Sequence, residues 1–284
     1  MANNITPTDS SGDPTKHYNT VVEAWDHLLG EDLHYGYFRT GGEPLTNATD
    51  ALTDEMLSLA QLEAGMDVLD IGCGTGKAGC RVAHEFKCQV MGISPSSACI
   101  DRASALSESL GLFATAKFQL GDGTQLQFED GSFDRVWVME SSHLMDDKAA
   151  LLRECARVLK PGGRMVLCDV MLRAKLSLPE VIARRDEFLI LKDAFGRAKM
   201  ETLAFYQSQL EGNQLQLEHA RDISIETLAT FGHWRENARA NRSQVEQHIG
   251  EQACDSFLAS CDVLESFWQE SIMGYGIISA SKAA

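Results

Sequence analysis

Val68-Leu69-Asp70-Ile71-Gly72-Cys73-Gly74-Thr75-Gly76-Lys77-Ala78-Gly79 is the stretch that decides the fold. Val68, Leu69 and Ile71 make an apolar run of the kind buried in a parallel strand. Gly72, Gly74 and Gly76 give the following turn its backbone freedom and leave no Cβ between the main chain and a ligand. A helix comes next, and its free N–H groups face the turn. The G-x-G-x-G spacing alone names no ligand, because dinucleotide-binding turns use the same physics. A glycine turn with no ligand is the plain alternative.

The 284 residues suffice for one large α/β core with a cap. Lys and Arg total 25 against 41 Asp and Glu, a net charge of −16. No basic run is interleaved with aromatics, so nucleic acid is not an expected partner. Apolar runs are strand-sized, and Met1 to Pro14 has neither a charged nor an apolar leader region. The expectation is a soluble cytoplasmic protein without a membrane partner. Eight cysteines are scattered, with no C-x-x-C pair and no Cys/His grouping at zinc spacing, which reads as buried thiols in a reducing compartment and no metal site.

Residues 1–14 read as a flexible tail. Residues 15–61 read as N-terminal helices: Tyr18, Val21, Val22, Trp25, Leu28 and Leu29 recur at helical spacing up to Gly30. A second helix, capped near Thr46 or Asn47, carries Leu52, Met56 and Leu59. From 62 to 175 strands and helices alternate, the pattern of a doubly wound parallel sheet. Strand two is expected at Cys88–Ser94, with Pro95 opening a helix. Strand three is expected at Ala116–Asp122, strand four at Phe133–Glu140 and strand five at Arg164–Val170. Residues 176–212 read as helical. In 213–284 the expectation is a strand at Leu215–Ser224, two helices from Ile225 to Ser271, and a final strand at Met273–Ser281. Ligands of such sheets bind beyond the carboxyl ends of the strands. Gly72, Ser94, Asp122, Glu140 to His143 and Asp169 are therefore expected to converge.

Leu69-Asp70-Ile71-Gly72-Cys73-Gly74-Thr75-Gly76 resembles motif I of the class I S-adenosylmethionine (SAM) methyltransferases. Gly121-Asp122-Gly123, the run Phe128 to Asp134, and Arg157-Val158-Leu159-Lys160-Pro161-Gly162-Gly163 extend the resemblance over residues 62–172. It implies a Rossmann-like, seven-stranded sheet whose last strand is antiparallel beside strand five. It also implies that the helical segment 176–212 is a cap over the acceptor, and that SAM is the cofactor, with S-adenosylhomocysteine (SAH) as product. Asp70, Gly72, Gly74 and Gly76 would belong to the cofactor loop, Asp122 and Gly123 to the adenine, and Glu140 to the cofactor as well. His34-Tyr35-Gly36-Tyr37 resembles a signature whose aromatics close the pocket, Tyr35 on the cofactor and Tyr37 on the acceptor. The alternative is that these rings anchor the N-terminal helix to the core. Strand two ends in Ser94 rather than an acidic residue. A subgroup resembling rebeccamycin-type sugar O-methyltransferases, sarcosine and dimethylglycine N-methyltransferases and mycolic-acid cyclopropane synthases shares this, often with a glutamine five residues on. Here that position is Cys99.

Glu140-Ser141-Ser142-His143 resembles the Glu-Ser-x-His segment of the same subgroup, not the Asn/Asp-Pro-Pro-Tyr/Phe tetrapeptide of enzymes that methylate nucleic-acid amines. His143 is the candidate general base, since an imidazole titrates near neutrality. Asp169 is the candidate that fixes its tautomer. A packing histidine and a helix-capping aspartate are the competing readings. Phe231, His233 and Trp234 are candidate walls for the acceptor, or else core. The expected activity is methylation of a small molecule, on oxygen first, with nitrogen or carbon as alternatives. A SAM-binding cyclase that transfers no methyl is an alternative of another class. An NAD-linked oxidoreductase fits less well because strand two lacks its acidic terminus. An amphipathic terminal helix leaves room for a homodimer or higher homo-oligomer.

Overall fold

The computed structural model describes residues 24–30 and 32–284. The expected tail 1–14 and most of the first helix lie outside the described residues.

Seven strands form one sheet in the order β3-β2-β1-β4-β5-β7-β6. They are β1 (Asp67–Ile71), β2 (Gln89–Ser94), β3 (Ala116–Leu120), β4 (Phe133–Met139), β5 (Leu159–Leu172), β6 (Leu215–Asp222) and β7 (Met273–Lys282). The first five run parallel, and β7 lies antiparallel between β5 and β6. The antiparallel last strand expected beside strand five is present. The order reverses between β1 and β4, so a crevice opens where their carboxyl ends diverge. β1 is buried from Val68 to Ile71, with Val68, Leu69 and Ile71 supplying the apolar side chains of a strand covered on both faces.

α1 (Leu45–Ala60), α2 (Lys77–Phe86), α3 (Ser97–Ser109) and α4 (Lys148–Val158) pack around the parallel strands. α1 begins at Pro44 instead of Thr46 or Asn47. Pro95 does not open α3. Ser96 caps that helix, its hydroxyl accepting from the Cys99 N–H at 3.2 Å, and this pushes the first turn one residue beyond the proline. Strand five begins earlier than its apolar run. Leu159 already pairs with Phe133, and Lys160 to Gly163 form an irregularity in the ladder before Arg164 pairs with Arg135.

After β5 come α5 (Leu178–Ala183), α6 (Arg185–Phe195) and α7 (Leu203–Gly212). Between β6 and β7 there are four helices where two were expected: α8 (Ser224–Thr227), α9 (Thr230–Ala240), α10 (Arg242–Ile249) and α11 (Glu251–Gln269). Gly250, with φ +84°, breaks the apolar pattern that reads as continuous. α6 is held against α11 by Phe188 on Phe267 (centroids 5.2 Å) and by an Arg184–Glu270 ion pair. Among the described residues no helix is long and apolar enough to cross a membrane.

Candidate active site

A cavity of about 490 Å³ opens at the carboxyl ends of β1 and β4. Asp70, Gly72, Gly74, Ser94, Asp122, Gly123 and Glu140 all line it. Gly72 has φ +78°, and a Cβ there would overlap the Ser141 side chain. That close approach is built in, because Ser141 Oγ donates to the Ile71 carbonyl at 2.7 Å. Gly74 has φ +52° and would meet nothing within 4 Å, so its main chain lies bare to the cavity. Gly76 does not line the cavity. Its missing side chain makes room for Ala103 and Phe118 at 2.7 and 2.9 Å, so it serves helix packing and not ligand approach.

Asp122 Oδ1 accepts from the Thr124 N–H and hydroxyl at 2.8 and 2.7 Å. Its other oxygen is left for a ligand. Asp70 is buried with Oδ2 unpartnered, and burial raises its pKa to about 7. An unpaired buried acceptor, a bare glycine main chain and an acidic turn in one cavity fit an adenosyl cofactor with an ammonium-bearing tail. At another part of the wall stand Asp32, His34, Thr53 and Lys77, which the sequence reading did not select. Lys77 Nζ reaches Asp32 at 2.8 Å, and Thr49 Oγ1 donates to the same carboxylate at 3.0 Å.

A second cavity of about 480 Å³ lies beside the first, and Leu33 and Glu140 line both. His143, Val170, Phe195, Met200 and Trp234 contribute to its wall. His143 sits on a single 3₁₀ turn after β4, Ser142–Leu144. Its Nδ1 is 2.6 Å from Asp169 Oδ1. A carboxylate only accepts, so Nδ1 carries the proton and Nε2 keeps a lone pair. Asp169, fully buried on β5, also accepts from the His143 N–H at 3.0 Å, the Val170 N–H at 2.7 Å and Ser142 Oγ. Tyr206, from α7, is 2.7 Å from Ser142 Oγ and completes the chain. Burial opposes an imidazolium here, but the Asp169 charge outweighs it and holds His143 above the ordinary histidine range. Burial likewise opposes ionised Asp169, and His143 with the surrounding donors holds it below the usual carboxylate range.

Glu140 forms the wall between the cavities. Its backbone has φ +47°, rare for a residue with a side chain. Oε1 accepts from the Tyr35 N–H at 2.8 Å and the Tyr275 hydroxyl at 2.5 Å. Burial raises its pKa to about 8 against the pull of those two donors.

The aromatic expectations need correction. The Tyr35 ring lines the second cavity, not the first, because it packs among Phe231, Trp234, Trp268 and Tyr275 at 4.8–5.7 Å between centroids. Tyr37, Phe231 and His233 line neither cavity. Tyr37 is buried beneath the Arg39 guanidinium, Phe231 is core behind Tyr35, and His233 stacks on Phe38 at 5.3 Å. Of the three candidate walls on α9, only Trp234 reaches the cavity. Tyr206 and Tyr275 were not anticipated: each lies in an apolar segment, where a tyrosine reads as packing.

The sheet order and crevice define a Rossmann-like fold of the kind that binds SAM. Residues 69–167 match the family model described as "Methyltransferase domain". The chain is 34% identical over 267 residues to the 27-O-demethylrifamycin SV methyltransferase of Amycolatopsis mediterranei, covering 94% of this chain and 96% of that one. It is 32% identical to methyltransferase GfsG of Streptomyces halstedii over 75% of this chain and 76% of that protein. Among solved structures it is similar to the [4+2]-cyclase SpnF, with a TM-score of 0.83, 25% identity and 98% coverage of both chains. The chain belongs to the class I SAM-dependent small-molecule methyltransferases.

Tyr206 gives a first prediction. Tyr206→Phe removes a donor from the Ser142–Asp169 chain and should cost about 1 kcal/mol of stability. With less hydrogen bonding to disperse it, the Asp169 charge falls more fully on His143. The pH midpoint of methyl transfer should therefore rise, which a pH–rate profile of the variant would show; an unchanged midpoint would reduce Tyr206 to packing.

Proposed function

We propose that the enzyme methylates a hydroxyl group of a natural product or metabolite, with His143 as general base. The observation that carries this is the His143–Asp169 pair at 2.6 Å, on a turn that faces the second cavity. That the Amycolatopsis mediterranei relative is named for an O-methylation supports the choice of oxygen.

In this reading Asp70, Gly72, Gly74 and Ser94 hold the cofactor's tail and ribose, and Asp122 and the Gly123 N–H hold the adenine edge. When bound, SAM supplies an electrophilic methyl on a sulfonium, whose departure leaves a neutral thioether. Glu140 and Leu33 set the boundary across which acceptor and methyl meet. The acceptor hydroxyl donates to His143 Nε2. SAM held there would supply the methyl to that oxygen, and His143 Nε2 would take up the hydroxyl proton. Asp169 keeps the ring in the accepting tautomer and stabilises the imidazolium that forms. The apolar walls keep water away from the attacking oxygen. The eight cysteines are all buried free thiols, which suits a cytoplasmic location.

The test is label transfer from methyl-labelled SAM to matched hydroxyl, amine and carbon acceptors across pH. The base works only when neutral, and its pKa is raised. Transfer to hydroxyls should therefore climb with pH through a midpoint above the ordinary value of 6.5. Asp169→Asn removes the charge that raises it, so the midpoint should fall together with the rate. Transfer confined to amines, or a flat profile with hydroxyls, would sink the assignment.

A further inference from the structure

The wall of the acceptor cavity is built of apolar and aromatic residues except for five: Glu140, His143, Arg185, Lys192 and Arg197. Among the described residues it contains no Asp, Asn, Gln, Ser or Thr. Arg197 is engaged by Asp146 at 3.1 Å. Arg185 and Lys192 have no ion-pair or hydrogen-bond partner for their side chains among the described residues. Both belong to one face of α6: Arg185, Phe188, Leu189, Lys192 and Phe195 follow helical spacing, and all of them line the cavity. The two cations stand two turns apart, about 10 Å along the helix axis, so their flexible stems bracket the cavity's edge.

A need for solubility does not account for this choice. The chain carries a net charge of −16, so acidic residues are its ordinary surface charge. α6 itself carries Asp186, Glu187 and Asp193, and none of these lines the cavity. Apolar side chains of the neighbouring segment, Val181 at 39% and Ile182 at 62% exposure, stand at the same cavity. Among the described residues no side chain covers them.

We propose that the acceptor is an amphiphilic anion: an apolar skeleton that fills the cavity, carrying one anionic group held by Arg185 and Lys192. This rests on the second cavity being the acceptor site of the reaction proposed above. The skeleton covers the exposed apolar side chains, the anion meets the two unpaired cations, and the reacting hydroxyl stands at the His143 end. Both cations are exposed at the cavity's edge, and a neutral acceptor would leave them paired with water alone.

The experiment measures binding to protein saturated with SAH, by titration calorimetry at low ionic strength, with decanoate and its neutral analogue methyl decanoate as probes. The wild type should bind decanoate about tenfold or more tightly than the ester, the scale of a charge-assisted contact. Arg185→Gln/Lys192→Gln should abolish that preference and leave ester binding unchanged. Lys117→Gln/Arg153→Gln, which removes the same charge from exposed sites away from the cavity, should keep it. Equal affinity of the wild type for the two probes, binding of neither, or a preference that survives the first pair and not the second would overturn the proposal. Binding is read without methyl transfer, so a failed role for His143 leaves this result intact, and lost selectivity here leaves the role of His143 intact.

Discussion

His143→Gln is expected to slow methyl transfer to a hydroxyl acceptor by ~10²–10⁴-fold, the range a positioned general base supplies. SAH binding should stay within about twofold, because His143 lines the second cavity and not the one proposed to hold the cofactor. Glutamine can still donate to Asp169, which keeps its bonds from the main-chain N–H of Val170 and from Ser142. The buried carboxylate is therefore not stranded, and the loss should fall on kcat and not on folding. The size of the loss should also depend on the acceptor. A phenol of low pKa arrives partly ionised and needs the base less than an alcohol does, so the defect should shrink as the acceptor becomes more acidic. Single-turnover rates over a series of substituted phenols and alcohols would show this. A defect of equal size for every acceptor would make His143 a positioning group.

Gly72→Ala is expected to remove SAH binding and to lower stability. The left-handed φ of +78° costs roughly 1–2 kcal/mol for any residue with a Cβ. The methyl would also overlap Ser141, whose hydroxyl ties the loop after β4 to β1. Relief requires moving either the glycine turn or the turn that carries His143. Gly74→Ala is the informative comparison. Its Cβ meets no protein atom, so it should cost only the strain of a φ of +52° and retain more of the folded stability. It should nevertheless impair SAH binding, because the new methyl stands where the main chain is bare. Thermal unfolding and SAH calorimetry on both variants separate the two effects. Equal SAH affinity of Gly74→Ala and the wild type would remove that residue from the cofactor site.

Local signals carried most of the sheet. The apolar runs of β1, β4 and β5 and the glycine turn each declare themselves within about ten residues, and the strand-end rule then places Gly72, Ser94 and Asp122 on one cavity, whereas Asp169 lines neither cavity and stands behind His143, which faces the second. The antiparallel position of β7 came from family resemblance, since nothing in Met273–Lys282 itself encodes direction. The aromatic residues were the least legible. Phe231 and Trp234 are three residues apart on α9 and both belong to the buried core, yet only Trp234 also reaches the second cavity. Both touch Tyr35, which comes from almost 200 residues upstream and which local spacing does not foretell. The Tyr206 and Tyr275 hydroxyls bond to partners 64 and 135 residues away, and no local spacing records such a contact. Gly76 shows the opposite error, because a motif position was read as ligand-facing when its neighbours are Ala103 and Phe118.

Glu140 joins three distant pieces of chain at one carboxyl oxygen: the end of β4, the Tyr35 amide 105 residues before it and the Tyr275 hydroxyl 135 residues after it. During synthesis the segment bearing Tyr35 and the end of β4 leave the ribosome long before β7 does. Until β7 inserts between β5 and β6, the partition between the two cavities lacks one of its two donors, and the β5 edge is open. The wall that separates the two cavities is therefore complete only when the seventh strand is in place.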